Sequence, residues 1–546
     1  MRNGRLMFAS LMLGVVAWGT SLSAAELLPP EKPLEEVIDF YIAAKLAEAG
    51  IAAVPPTDDA SQIRRLTLDL AGRIPTVAEV QAYVQATEPD KRLKLVERLL
   101  ASPEYPLHQR NEFDILLLAG VNDNEWRDYL LQAFQQNRPW DQMFREIMLG
   151  HEENPAEKPA LAYLRSRANN LDDLTNDTSK LFFGVSVNCA KCHDHPLVLD
   201  WTQDHYFGMT SFFNRTYLNK RRQLGERDDG LVKFKTTEGV EKQAKLMFLS
   251  GAVADDPPAP ELSEDEKKAR AAKQKEDDEK KEGPPPAAPA FSRRAQLVDL
   301  ALKPENSSFF SRSIVNRIWA RLLGRGLVMP LDQMHSANPA SHPELIEWLA
   351  RDLVTHHYDL RRLVRGITLS QAYLRGSRWE AGGEPPPERL YAVGNTRALT
   401  PRQYALSLVI ATHNPESLPG IDKPENWAQR SRDLENRATG FAHQIEVPGE
   451  NFQVSVSEAL LFSNGPNVQN DYLAEGNDRL VGKLKTISDR GEMIQAAFWA
   501  ILSRPATPEE VAGFQAYLEA RPDRPVAALQ QMVWALLTSS EFRFNY

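Results

Sequence analysis

The sequence predicts a mainly α-helical protein, two helical domains joined by a charged, proline-flanked linker. Three observations predict it. Apolar residues recur at three- and four-residue spacing through most of the chain, the pattern of amphipathic helices. From Asp255 to Pro289, by contrast, 18 residues are Asp, Glu, Lys or Arg, so that stretch buries too little apolar surface to offset its ordering entropy. At 546 residues the chain is long enough for several folding units of roughly 150 residues each. A hydrophobic content of 42% places it among ordinary globular proteins. The formal net charge of −10 argues against generic binding to nucleic acid or anionic lipid.

Residues 1–25 read as a signal peptide. Arg2 and Arg5 precede the apolar run Leu6 to Trp18, and Ser23-Ala24-Ala25 forms a small-residue cleavage site. The run is shorter than the ~20 residues that span a bilayer. No later segment is apolar for long enough, so no transmembrane span is expected beyond the signal segment. The mature protein is expected to be exported, periplasmic or extracellular.

The first domain is expected over 26–252. Leu34, Val37, Ile38, Tyr41, Ile42 and Leu46 mark its first helix, and Ile63, Leu66, Leu68 and Leu70 open the second. Thr76 with Glu79 predicts a capping box, and Leu95, Val96, Leu99 and Leu100 form the next stripe. Helices are expected to continue to about Phe213. Val232 to Phe248 alternates better than it cycles, which predicts a small β-hairpin before the linker. Within the linker, 253–290, Glu264 with Lys268 and Glu276 with Lys280 suit a lone exposed helix.

The second domain is expected over 291–546. Ile314, Val315, Ile318, Trp319, Leu322 and Leu323 predict a helix stopped at Gly324. Ser341 with Glu344, and Thr507 with Glu510, predict two further capping boxes. A faint repeat joins the two ends of the chain. Arg73, Thr76 and Glu79, leading to Leu99–Tyr105, are echoed by Arg504, Thr507 and Glu510, leading to Leu536–Phe542. A fragment of the pattern recurs at Gln296–Glu305. Duplication of a helical unit and convergent capping chemistry both account for it.

The only two cysteines stand in Cys189-Ala-Lys-Cys192-His193, the Cys-x-x-Cys-His spacing of c-type haem attachment. Two thiols one turn apart suit the two vinyl groups of a haem edge, and the adjacent histidine suits the iron. An oxidising, extracytoplasmic location agrees with that chemistry. Two other readings stay open at this point. A structural zinc ion is served by Cys189, Cys192, His195 and His205, and a disulfide is served by the two cysteines alone. For an iron held by His193, the sixth ligand is expected at His205 or Met209, or from the second domain at a residue such as His335 or His342. Spacing singles out none of them.

The stretch Leu181–Pro196, with Trp201–Asp204 and Tyr206–Gly208, resembles a planctomycete cytochrome-like domain, and Ile63–Thr76 resembles that domain's beginning. Phe309–Trp319, Leu323–Leu327 and Asn338–Leu345 resemble the planctomycete-specific domain that accompanies it. The resemblance covers nearly all of the mature chain. It implies an exported protein of largely unknown activity, with Cys189, Cys192 and His193 as haem-attachment residues. Longer relatives carry a further cytochrome domain near the N-terminus, so a relay through a second haem in this polypeptide is not expected.

No Gly-x-Ser-x-Gly elbow, phosphate-binding Gly-rich loop or His-Glu-x-x-His pair occurs. A carboxylate-based site is not locatable by sequence among 74 acidic residues. The expected function is electron transfer by a haem c protein working with an unidentified redox or protein partner. The alternative is a non-catalytic extracytoplasmic scaffold whose cysteines form a disulfide or hold zinc.

Overall fold

The computed structural model describes residues 27–121, 123–195, 198–257, 263–418, 424–448, 453–466 and 468–546. The signal segment expected over 1–25 lies outside them. The described chain is mainly α, with short two-stranded antiparallel pairings. Among the described residues no helix is long and apolar enough to cross a membrane.

The helices begin where local chemistry says they should. Asp58 caps Asp59–Ala71 through the Ser61 amide, and Gly72 ends that helix in the left-handed region at φ +72. Thr76 and Glu79 form the expected reciprocal box. Gly324, at φ +81, stops Ser307–Leu323. The Ser341 box does not form. His342 takes the N-cap position of Pro343–Thr355, and the Ser341 hydroxyl bonds the His342 ring at 3.0 Å instead. The expected hairpin is Lys233–Lys235 against Glu241–Gln243, and a second pairing, Leu246–Met247 with Val253–Ala254, follows it.

Within the charged segment the chain forms a helix, Glu264–Glu279, closed by a Ser263–Glu266 capping box. It is tied back to the first domain. The Lys220 amide donates to the Asp278 carbonyl at 3.0 Å, and the Arg221 guanidinium donates to the carbonyls of Lys280 and Pro284.

The hydrophobic core does not divide at this segment. One continuous cluster runs from Leu34 to Ala392 and so takes in helices from both sides of it. At its centre Trp140 stacks on Phe182 at 5.6 Å and on Phe310 at 5.9 Å. A second cluster gathers residues 399–542 and is completed by Leu68 and Ile74 from the N-terminal part. Buried polar contacts join the two clusters. Arg397 bridges Asp69 at 2.7 Å, the Tyr373 hydroxyl donates to the same carboxylate at 2.6 Å, and Arg64 donates to carbonyls of Ile501 and Phe542.

The sequence repeat is repeated in three dimensions. Arg73 grips Glu79 and Glu104 with both faces of its guanidinium fork and also donates to the Ile74 carbonyl. Arg504 makes the same five bonds to Glu510, Glu541 and the Pro505 carbonyl. In each copy the clamped glutamate also closes a threonine capping box. Capping alone does not require the second glutamate, so the structure favours a duplicated helical unit over convergence. The fragment at Gln296–Glu305 lacks the clamp, since it holds no arginine counterpart of Arg73 or Arg504.

Candidate functional site

The helix Leu171–Phe183 ends at Gly184, φ +69, and the chain then runs extended through Val185 and Ser186 into a 3-10 turn, Asn188–Lys191. A 3-10 turn brings residues three apart onto one side. Cys189 lies in that turn and Cys192 caps it with helical backbone angles, and both thiols are free and exposed. The next residue, His193, is exposed too.

The His193 ring has a defined tautomer. Its Nδ1 lies 2.8 Å from the Asp194 carbonyl oxygen, which can only accept, so Nδ1 carries the proton. In the neutral ring the lone pair is then on Nε2, the arrangement of a metal-ligating histidine with a backbone partner. Neighbouring contacts fix the loop. Lys191 pairs with Asp172, Asp194 accepts the Gln203 amide at 2.8 Å, and the His195 amide donates to the Trp201 carbonyl at 2.8 Å. His195 and Asp194 therefore shape the loop.

A second segment is stapled to both flanks of this motif. Val185 pairs with Gln333 in an antiparallel bridge, the Ser186 amide donates to the Asp332 carbonyl at 2.8 Å, and the Met334 amide to that of Gly184 at 3.0 Å. On the other flank Asp200 accepts the Ser336 amide and hydroxyl, each at 2.7 Å. Gly184 has to be glycine here. A Cβ on it would lie 2.8 Å from the Met334 sulfur, besides carrying a side chain at positive φ.

Beside the stapled segment opens a cleft of about 620 Å³, within the roughly 300–1,000 Å³ of ligand and cofactor sites. Phe183, Trp201 and Phe309 supply aromatic walls, and His205, Met334 and His335 line it as well. Burial holds the His205 and His335 rings below the ordinary histidine range, and both are neutral at pH 7.

The structure thus brings His205 and His335 to one cleft and leaves the other sequence candidates elsewhere. Met209 is wholly buried in the main core. His342 is buried against Tyr391, and burial lowers it to about 4. The His205 Nδ1 is engaged by the Thr202 hydroxyl at 2.9 Å. Among the described residues no three His, Cys, Asp or Glu side chains are grouped as a bound metal ion requires. Sequence reasoning named His335 among its candidates but missed the pairing of 332–336 with Gly184–Ser186 and Asp200, because that pairing is not local.

Residues 37–217 match the family model PSCyt2, described as a protein of unknown function (DUF1549). Residues 293–518 match PSD1, likewise described as a protein of unknown function (DUF1553). The chain carries a PSCyt2 domain followed by a PSD1 domain. No curated protein and no solved structure matches it. The Cys-x-x-Cys-His motif falls in the PSCyt2 domain and the stapling segment in the PSD1 domain, so the two domains meet on either side of the motif. The shared core and the cleft lie across the same junction.

Proposed function

We propose that this PSCyt2–PSD1 protein is an exported c-type haem protein that transfers electrons, with Cys189 and Cys192 as thioether residues and His193 as an iron ligand. The donor set fits the group. Two free thiols stand exposed at the two ends of one 3-10 turn, and the next residue presents an imidazole whose Nδ1 is already committed to a carbonyl. That last feature is the observation that carries the reading, because it leaves Nε2 as the ligating atom. A haem held there supplies one-electron redox chemistry. Exposure of all three residues suits exchange with a partner protein. The leader-like N-terminus agrees with the compartment in which such attachment takes place.

The test is an absorption spectrum of the mature chain, exported from a host with c-type haem maturation machinery and reduced with dithionite. The expected result is a Soret band with a sharp α-band that persists after denaturation, and its loss in Cys189→Ser and Cys192→Ser. A colourless wild-type protein from that host overturns the proposal. Metal analysis and thiol titration then separate zinc from a disulfide.

A further inference from the structure

Along the PSD1 helix Leu360–Leu369 every guanidinium is answered. Arg362 pairs with Asp352, Arg365 with Glu97, and Arg361 donates to the Phe134 carbonyl. Around His413, in the same domain, three guanidiniums gather without such an answer.

The helix Pro401–Thr412 ends at His413, which pairs with Arg479 in an antiparallel bridge, and the Asn414 amide donates to the Asp478 carbonyl at 2.9 Å. Partners in such a bridge stand directly opposite, with Cβ atoms about 4.5–5.5 Å apart, so the Arg479 side chain starts beside the imidazole. The helix Pro424–Ala442 packs along Pro401–Thr412 and carries Arg430 and Arg437 two turns apart on one face. Arg437 Nη1 reaches the His413 Nε2 at 3.4 Å, and Arg430, Arg437 and Arg479 all act on the ring electrostatically. The ring itself is neutral. It is 2% exposed, and its Nδ1 lies 2.7 Å from the Val409 carbonyl oxygen, so that nitrogen carries the proton. Burial and the three arginines hold the imidazole below the ordinary histidine range.

Two carboxylates face Arg430, those of Asp433 and Asp478, and neither closes the cluster. Asp433 accepts from the Gln429 amide nitrogen at 3.0 Å. Asp478 is 62% exposed and lies 3.7 Å from Arg479, its neighbour in sequence. Arg430 is half-buried and makes no hydrogen bond or ion pair among the described residues. Its Nε is buried without a partner, which leaves its two terminal nitrogens as the ones open to solvent. Like charges held together beside a neutral ring repel one another, and an anion between them removes that cost.

We propose that Arg430, Arg437 and Arg479 form a binding site for a tetrahedral oxyanion, a phosphate or sulfate group. Each guanidinium presents its donors in a rigid planar fork that suits paired oxygens. Three forks offer more donors than one carboxylate can use, and a dianion offsets three positive charges better than a monoanion does. The site is built from PSD1 residues alone and owes nothing to the haem centre. It gives that domain a ligand of its own, free or carried on a larger molecule.

The test is calorimetric titration of the full mature chain with sodium phosphate and with sodium sulfate, at a fixed ionic strength made up with sodium chloride. Sodium acetate serves as the carboxylate control. Saturable binding of one equivalent of phosphate or sulfate is expected, with none of acetate, and the tighter of the two ions identifies the group the site takes. Arg430→Gln and Arg437→Gln should each weaken binding about tenfold or more, as loss of a charge-assisted hydrogen bond does. Asp478→Asn should tighten it, because a competing carboxylate is gone. Absence of saturable binding overturns the inference, and so does acetate binding as tightly as sulfate. An affinity unchanged in both arginine variants places the ion elsewhere and overturns it as well. If Arg430→Gln fails to accumulate, Arg437→Gln and Asp478→Asn decide, since both side chains are exposed, and an unchanged affinity in both rejects the site.

Discussion

His108 shows how much a single side chain can tie pH to stability. It lies 4% exposed beneath Gly72, where an added Cβ would sit 2.7 Å from its Nδ1. Burial, helped by the nearby Arg321 charge, pushes the ring down to about 3. The folded protein therefore refuses a proton that the unfolded chain accepts at the ordinary value of 6.5. Between those two values the unfolded state holds more protons, so stability falls as pH drops below 6.5, by about 1.4 kcal/mol per unit. His108→Gln removes that dependence. Between pH 7 and pH 5 urea midpoints should show the wild type losing about 2 kcal/mol more than the variant from this site. Equal losses would refute the assignment. Gly184→Ala is the second case at this scale. Positive φ costs about 1 kcal/mol, and the close approach of the Met334 sulfur adds to it, so the melting temperature should fall. Cys189, Cys192 and His193 were legible in the sequence because their chemistry is written in their spacing. The approach of Met334 to Gly184 was not, because it depends on a pairing between segments far apart in the chain.

At the scale of elements, the two arginine clamps are one device in two environments. Arg73 and Glu79 are each 1% exposed, and the guanidinium also lies 4.3 Å from the Trp427 ring. Burial would raise Glu79, yet Arg73 and Arg98 overcome it and hold the carboxyl at about 2. The stabilisation from this depressed value is complete above the unfolded value near 4.5 and is lost as pH falls toward 2. Arg504 is 25% exposed and its partners are similarly open to water. Arg73→Ala takes from buried Glu104 its guanidinium partner and leaves Glu79 with Arg98 alone, and should cost about 3–5 kcal/mol. Arg504→Ala exposes its partners to solvent and should cost about 1 kcal/mol, since screening already weakens the pair. Denaturant titration of the two variants measures the difference, and equal costs would mean that burial does not separate the copies. The repeat was legible because every clamp residue lies inside the echoed segments. Gln296–Glu305 echoes only the second half of the pattern and holds no arginine counterpart of Arg73 or Arg504, so it lacks the clamp. The Ser341 box failed for a different reason, as His342 offers its neighbour's hydroxyl a partner that the local pattern does not count.

For the whole molecule, the charged segment and the core give different divisions of the chain. Composition changes sharply at Asp255–Pro289, and that change is real, since none of the described side chains of the helix there is buried. Composition reports solvation, however, and not which helices share a core. Trp140 stacks on Phe182 from its own side and on Phe310 from the other, so the apolar interior passes through the junction. The second cluster is likewise completed by Leu68 and Ile74, hundreds of residues away in sequence. Covalent continuity through the charged segment is then unnecessary for the halves to stay together. A protease site placed between Gly283 and Pro289 tests this directly, because the chain there is exposed or half-buried and carries no core residue. After cleavage the two fragments should co-elute in gel filtration and melt in a single transition near the temperature of the intact chain. The joint is built from buried aromatics and from ion pairs such as Arg397–Asp69, which are desolvated and little screened, so moderate salt should not part the fragments. Fragments that separate would show that the shared core is too weak to hold without the tether, and that the pairing of 332–336 with Gly184–Ser186 and Asp200 depends on the linker.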